Sequence, residues 1–138
     1  DGISALKLCK DESIETIIMS HIVNYMYIWE FEELLSICKM KLKYNGKIIF
    51  ENPDLDSIIK NMNNSEPLSY AFFESIRGIF AFAEDDIQNR KPYFPYKMAY
   101  RLKDLIKILT KHGYNIEIQK PKIHFANYNR DLRIIISK

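Results

Sequence analysis

Two cysteines, Cys9 and Cys38, are too few for a disulfide framework in a chain of 138 residues. Both lie in apolar-patterned segments, so a reduced, intracellular protein is expected. Long apolar runs are scarce too. The longest apolar region, residues 17–31, is broken by Ser20, His21, Asn24 and Glu30, and a bilayer span takes roughly 20 apolar residues. Neither charge dominates: 20 basic residues face 18 acidic ones, a net of +2. A nucleic-acid protein would need a concentrated basic face. The three histidines and two cysteines show no metal-ligand spacing, so no metal is expected. Ser-His-Asp order, a Cys-His nucleophile and a phosphate-loop pattern are missing as well. No secretory signal pattern is read, and a cytoplasmic location is the expectation.

What is present is a core. Apolar residues make up 47% of the chain, which suits one globular domain. Residues 13–20, "SIETIIMS", are β-branched and apolar without strict alternation. They read as a strand buried on both faces, the kind found in parallel sheets covered by helices. Residues 29–43 form the clearest helix. Phe31, Leu34, Leu35, Cys38 and Leu42 make one stripe. Glutamates crowd its first turns and lysines its last, which suits the helix dipole, and Asn45 and Gly46 are expected to end it. Residues 47–51 read as a second strand stopped by Pro53, and Asp54 as the cap of a helix over residues 55–62. Residues 68–84 read as an aromatic helix with Gly78 a break, a lid or core element in preference to a membrane-surface one. Residues 85–97 read as a loop. Residues 100–113 read as a helix closed by Gly113. Residues 114–119 and 131–137 read as an antiparallel pair of strands.

The order of elements predicts an α/β sheet, parallel at first with an antiparallel end. One strand then raises an objection. The segment from Ser13 to Ser20 would lie at a sheet edge with only Glu15 to deter pairing. A cover is therefore expected: a missing N-terminal half, a second copy or another subunit. The first residue, Asp1, is not Met, and residues 1–8 read as text from the middle of a domain. A portion of something longer is expected.

Three stretches carry a family likeness. "DESIETIIMSHIVNYM" resembles the acidic turn, fourth strand and following "SHVLEH" segment of class I S-adenosylmethionine-dependent methyltransferases. "ELLSICKMKLKYNGKIIFENPDLDSII" resembles their "ELLRVLKPGGKLIIEVPNLDSL", and "YRLKDLIKILTKHGYNIEIQKP" their "ESLRELLEEAGFEVEE". The resemblance implies a partial Rossmann-like sheet comprising strands four to seven, with a C-terminal antiparallel hairpin and helices on both faces. The glycine-rich loop and the ribose-binding acid would belong to the absent first half. It implies S-adenosylmethionine as cofactor of the complete domain, with Asp1, Ser20 and His21 toward it. Asn24 and Tyr25 stand where the family has a Glu-His pair, and Tyr25, with a reference pKa of about 10, is a poor base near neutrality.

Asn52, at the carboxyl end of the second strand, falls where relatives contact substrate. Arg90, Lys91 and Tyr93 in "NRKPYFPY" are candidates for an anionic or sugar acceptor, or else belong to a solvated loop covering the core. His21 is either a ligand contact or a histidine bonded to the following turn, and Tyr25 is either a pocket wall or a packing aromatic. His112 is expected to serve the end of its helix. The reading is the C-terminal portion of a methyltransferase with a small-molecule or saccharide-like acceptor. The alternative is a non-catalytic remnant of the same fold used for dimerisation or scaffolding; this chain alone is expected to be inactive. The bare edge predicts self-association at high concentration in sedimentation velocity runs, and a well-behaved monomer there would remove the argument for a cover.

Overall fold

The computed structural model describes residues 2–81, 96–123 and 130–138. A short helix α1 (Gly2–Leu8) leads to strand β1 (Ile14–Ser20), followed by a 3-10 turn (Val23–Tyr25) and helix α2 (Ile28–Lys41). Strand β2 (Leu42–Pro53) follows, then helices α3 (Leu55–Asn63) and α4 (Tyr70–Phe80). Helix α5 (Leu102–Lys111) and strands β3 (Asn115–Gln119) and β4 (Asp131–Ser137) complete the described chain. The strand order is β1-β2-β4-β3. β1 and β2 run parallel, while β4 runs antiparallel to both β2 and β3. This is the mixed α/β sheet that the sequence predicts. The antiparallel pair is present, but the last strand inserts between β2 and β3.

Local chemistry explains most element ends. The Tyr27 N–H donates to Glu30 Oε2 at 2.7 Å at the start of α2, satisfying a donor that the helix leaves open. Asp54 caps α3 by accepting from the Ser57 N–H and hydroxyl at 3.3 and 2.7 Å. Ser69 caps α4 through the Phe72 N–H. Gly113 takes φ +71° just past α5, the left-handed closure a glycine allows most cheaply.

Three expectations need correction. Helix α2 stops at Lys41, before Asn45 and Gly46. Leu42 is already paired with Ile14, and residues 43–46 fill an irregularity before Lys47 meets Thr16. Gly46 therefore serves close approach: a Cβ there would lie 2.9 Å from Leu42 Cδ2 and 3.0 Å from the carbonyl oxygens of Ile14 and Lys43. Gly78 does not break α4. It lets that helix sit on Ile58 of α3, whose Cδ1 would be 2.6 Å from a Cβ. The strand β1 is not buried on both faces either, since Ile18 is 58% exposed.

The core occupies one face of the sheet. Ile48 and Phe50 of β2 and Leu132, Ile134 and Ile136 of β4 pack there with Phe31, Leu35 and Cys38 of α2 and Leu105 and Leu109 of α5. Phe31 meets Phe50 edge-on at 5.8 Å, a favoured ring geometry. Burial pushes the Cys38 thiol up to about 12, so it behaves as an inert apolar group. Because two of the atoms facing Gly46 are backbone oxygens that cannot swing aside, Gly46→Ala is expected to cost about 0.5–2 kcal/mol. That is overpacking of ~1–3 kcal/mol less the ~0.5–1 gained by removing a glycine. A urea titration should show a lower midpoint with an unchanged slope.

Candidate functional site at the carboxyl ends of the parallel strands

Open α/β sheets present ligand sites at the carboxyl ends of their parallel strands. Here those ends are Ser20 of β1 and the stretch Glu51–Asn52–Pro53 of β2, with the start of antiparallel β4 beside them. The register pairs Ser20 with Glu51, Glu51 with Arg133 and Pro53 with Asp131.

The chain leaves β1 through His21, whose φ of +53° is left-handed, a conformation that histidine adopts more readily than most residues. Two bonds hold it. Its N–H donates to the Glu51 carbonyl at 2.8 Å, and its Nε2 lies 2.6 Å from Asp131 Oδ2. Asp131 is buried, and its other oxygen accepts from Arg130 Nε at 3.2 Å. Arg130 in turn donates to the Glu74 carbonyl of α4 at 3.3 Å. A polar chain thus crosses from β1 through β4 to α4.

A second buried pair lies alongside. Glu51 is fully inaccessible, and Arg133 Nη1 donates to its Oε2 at 2.7 Å. Its Oε1 accepts from the backbone N–H groups of Lys122 and Ile123. A buried carboxylate needs such partners to remain charged.

The remaining polar groups are less well served. Asn52 is fully buried on the core face, and neither its amide nitrogen nor its oxygen has a partner. The Ser20 hydroxyl is also buried and unpartnered. Leaving such groups unmet costs about 1–3 kcal/mol each. They fit a polar ligand or ordered water at this end of the sheet. Asn24 is buried in the turn after β1 and is mostly occupied: its Nδ2 donates to the Met98 carbonyl at 3.1 Å, and its own carbonyl accepts from the N–H groups of Lys97 and Met98. Only its Oδ1 is unpartnered. Tyr25 is 40% exposed and meets Tyr96 edge-on at 4.7 Å. Burial first, and then the neighbouring Tyr25, push the Tyr96 phenol up to about 12; burial does the same to Tyr100. Neither phenol is a base near neutral pH. Asp1, Arg90, Lys91 and Tyr93 lie outside the described residues, as does His124.

Four of these residues, Glu51, Arg130, Asp131 and Arg133, escape a reading for motifs. Their signal was present as charges inside or against β-branched strands, in "KIIFENP" and "NRDLRIIIS". Such charges need a partner when buried, though sequence alone does not say which. Among the described residues, no group of three or more His, Cys, Asp or Glu is placed to hold a metal ion. No described helix is long and apolar enough to cross a membrane.

Beside β1 runs an open groove of about 760 Å³, lined among others by Ile3, Leu6, Ile18, Ile22, Tyr25 and Met26. β1 is an edge strand of the sheet among the described residues, and its Ile17, Ile18 and Met19 line this groove.

No protein-family model and no curated protein matches the sequence. Solved structures do match in fold. A SAM-dependent methyltransferase from Archaeoglobus fulgidus superposes with a TM-score of 0.61 at 18% identity, covering 100% of this chain and 65% of that one. DhpI in complex with SAM and HEP gives 0.59 at 13% identity, covering 96% and 54%. The carbon methyltransferase CurJ gives 0.52 at 11%, covering 94% and 30%. The chain therefore spans less than two thirds of the length of these structures, and its four-stranded mixed sheet resembles part of a methyltransferase Rossmann-like fold. At such identities the likeness is one of fold.

Removing Arg133 would take away a cation bonded to the buried Glu51 carboxylate. Arg133→Met is expected to destabilise the chain by about 3–5 kcal/mol, the range for breaking one side of a buried pair. The double variant with Glu51→Gln should lose less than the single one, since no charge is then left unmet. Chemical denaturation of the two variants checks this.

Proposed function

We propose that this chain is the C-terminal portion of a class I S-adenosylmethionine-dependent methyltransferase domain, contributing strands four to seven of the sheet. The single observation that carries the reading is the state of β1. It is a parallel edge strand with an exposed isoleucine, and it ends in a half-buried serine whose inaccessible hydroxyl is unpartnered, near the equally unpartnered side chain of Asn52. A strand of this kind invites a neighbour, and a polar end of this kind invites a ligand. The neighbour would be the N-terminal half of the domain, a second copy or another subunit.

In this reading Ser20 and the backbone at His21, at the end of β1, would hold the methionine portion of the cofactor. The bound cofactor would supply a methyl group on a positively charged sulfur, ready for in-line displacement. The task of the chain's residues is then to position. Asp131 and the Glu51 carbonyl hold His21 in its left-handed turn, and Asn24 ties that turn to residues 97 and 98. Asn52 offers an amide for the acceptor. Acceptors that need a proton removed find no base in Tyr96 or Tyr100, whose phenols stay protonated up to about 12. The acceptor is taken to be a small or saccharide-like molecule, with Arg90, Lys91 and Tyr93 as further contacts.

One observation favours the rival reading of a non-catalytic scaffold. Asn24 stands where the resemblance puts the glutamate of a Glu-His pair, and most of its bonding capacity is spent on bracing a loop. Calorimetry separates the two. The complete reading frame is expected to bind S-adenosylmethionine at roughly micromolar Kd, about −8 kcal/mol, while the 138-residue chain alone binds none. Micromolar binding by the chain alone would sink the claim that its site is incomplete. A complete frame that does not bind would leave the scaffold.

A further inference from the structure

Asn52 poses a conflict. Its amide is the group offered to the acceptor, yet the residue is wholly inaccessible, and neither polar atom of its side chain has a partner. Alternation along β2 puts it on the same face as Ile48 and Phe50, two residues short of Asp54. Whatever crosses that end of the sheet controls access to it.

Residues 97–100 make the crossing. At one end, the N–H groups of Lys97 and Met98 donate to the Asn24 carbonyl at 2.7 and 3.1 Å, and Asn24 Nδ2 donates to the Met98 carbonyl at 3.1 Å. At the other, Tyr100 bridges to Asp54, and its carbonyl accepts from the Leu55 N–H at 3.0 Å. Asn24 follows β1 and Asp54 follows β2, so these residues span the carboxyl ends of both parallel strands. Rings pin the flanks. Tyr96 meets Tyr25 edge-on, and the buried Tyr100 tilts against Phe31, which meets Phe50 in turn. The middle is held by its bonds to Asn24. The Lys97 ammonium adds contacts to Glu30 at 3.1 Å and to the Tyr27 ring at 4.6 Å, but both are exposed and contribute little.

That middle has room to move. Met98, Ala99 and Tyr100 line an open groove of about 500 Å³ together with Ile28 and Ile108, so this stretch borders open space. Its closed position also carries a cost. Both polar atoms of the Asn52 side chain and Asn24 Oδ1 are held out of water with no bond in exchange. Opening would let water or a ligand meet all of them. A movement that releases a few polar bonds while wetting such groups falls at the low-energy end of local openings.

We infer that residues 97–99 are a flap over Asn52, latched by Asn24, and that a ligand reaches the Asn52 amide only when the flap opens. The inference deepens the methyltransferase proposal, on which it rests only for calling that ligand the methyl acceptor. It also gives Asn24 a task that the glutamate of the family pattern could not perform in its ionised form. An amide donates to a carbonyl, which is the bond Asn24 makes to Met98, whereas a carboxylate only accepts.

Hydrogen exchange on the ¹⁵N-labelled chain, without cofactor, tests this. It follows the backbone amides of Lys97 and Met98, the side-chain amide of Asn52 and the backbone amides of residues 48–51 in β2. Lys97, Met98 and the Asn52 side chain are expected to share one opening equilibrium, at least about a hundredfold more favourable than the one that exposes residues 48–51. Asn24→Ala removes the side-chain bond to Met98. It should raise that opening about fivefold relative to residues 48–51, the effect of one hydrogen bond. A thiol gives a second reading: Asn52→Cys in a Cys9→Ser background should react with a maleimide at position 52 at least about a hundredfold faster than at the buried Cys38. Four results would each overturn the inference. They are an Asn52 side chain that exchanges only with residues 48–51, opening of Lys97 and Met98 that leaves Asn52 protected, labelling at position 52 no faster than at Cys38, and an unchanged ratio in a folded Asn24→Ala protein. If neither variant folds, the exchange pattern of the unaltered chain decides. Because none of these measurements uses S-adenosylmethionine, failure of the flap and failure of the methyltransferase reading are distinguishable.

Discussion

A carboxylate that has left water must be met by a cation and by hydrogen-bond donors, or its desolvation is not offset. Glu51 is met by both, and much of the molecule is arranged around that demand. Its side chain reaches Arg133 on β4 and the backbone donors of residues 122 and 123 beyond β3. Its own carbonyl receives the His21 N–H where β1 turns. One residue of β2 thereby bonds to β4, to the turn after β1 and to the segment that follows β3. The insertion of β4 between β2 and β3 follows the same logic, since it places Arg133 directly opposite Glu51 in the register.

The alternation of β2 separates two kinds of polar group at the same end of the sheet. Glu51 points to the face where Arg133 waits and is satisfied. Asn52 points to the core face, where its amide is unmet. A domain selected only for stability would not keep an amide buried in that condition, given its cost of about 1–3 kcal/mol. Functional sites are where such departures from local consistency are expected. The neighbouring chain of His21, Asp131 and Arg130 carries polar character from β1 to the Glu74 carbonyl of α4.

Much of the fold was legible in the residues because its signals are local. The stripe of Phe31, Leu34, Leu35 and Cys38 names a helix and its buried side together, and all four residues are in the core. Asp54 caps the helix it was expected to cap. Gly46 and Gly78 were misread for one shared reason: a glycine can mark a turn or a close approach, and only the neighbour that comes close, Ile14 in one case and Ile58 in the other, tells them apart. The site was legible only in outline. Ser20, His21, Asn24 and Asn52 could be named because a polar residue at the end of an apolar strand is conspicuous. Their partners could not.

By itself the sequence determined an α/β chain with a parallel start and an antiparallel finish, since periodicity, caps and turn residues act within a few positions of one another. Only the tertiary structure decided that His21 meets Asp131 across 110 residues and Glu51 meets Arg133 across 82. A buried charge specifies that it must have a partner, but not which residue of a distant strand the register will bring opposite it.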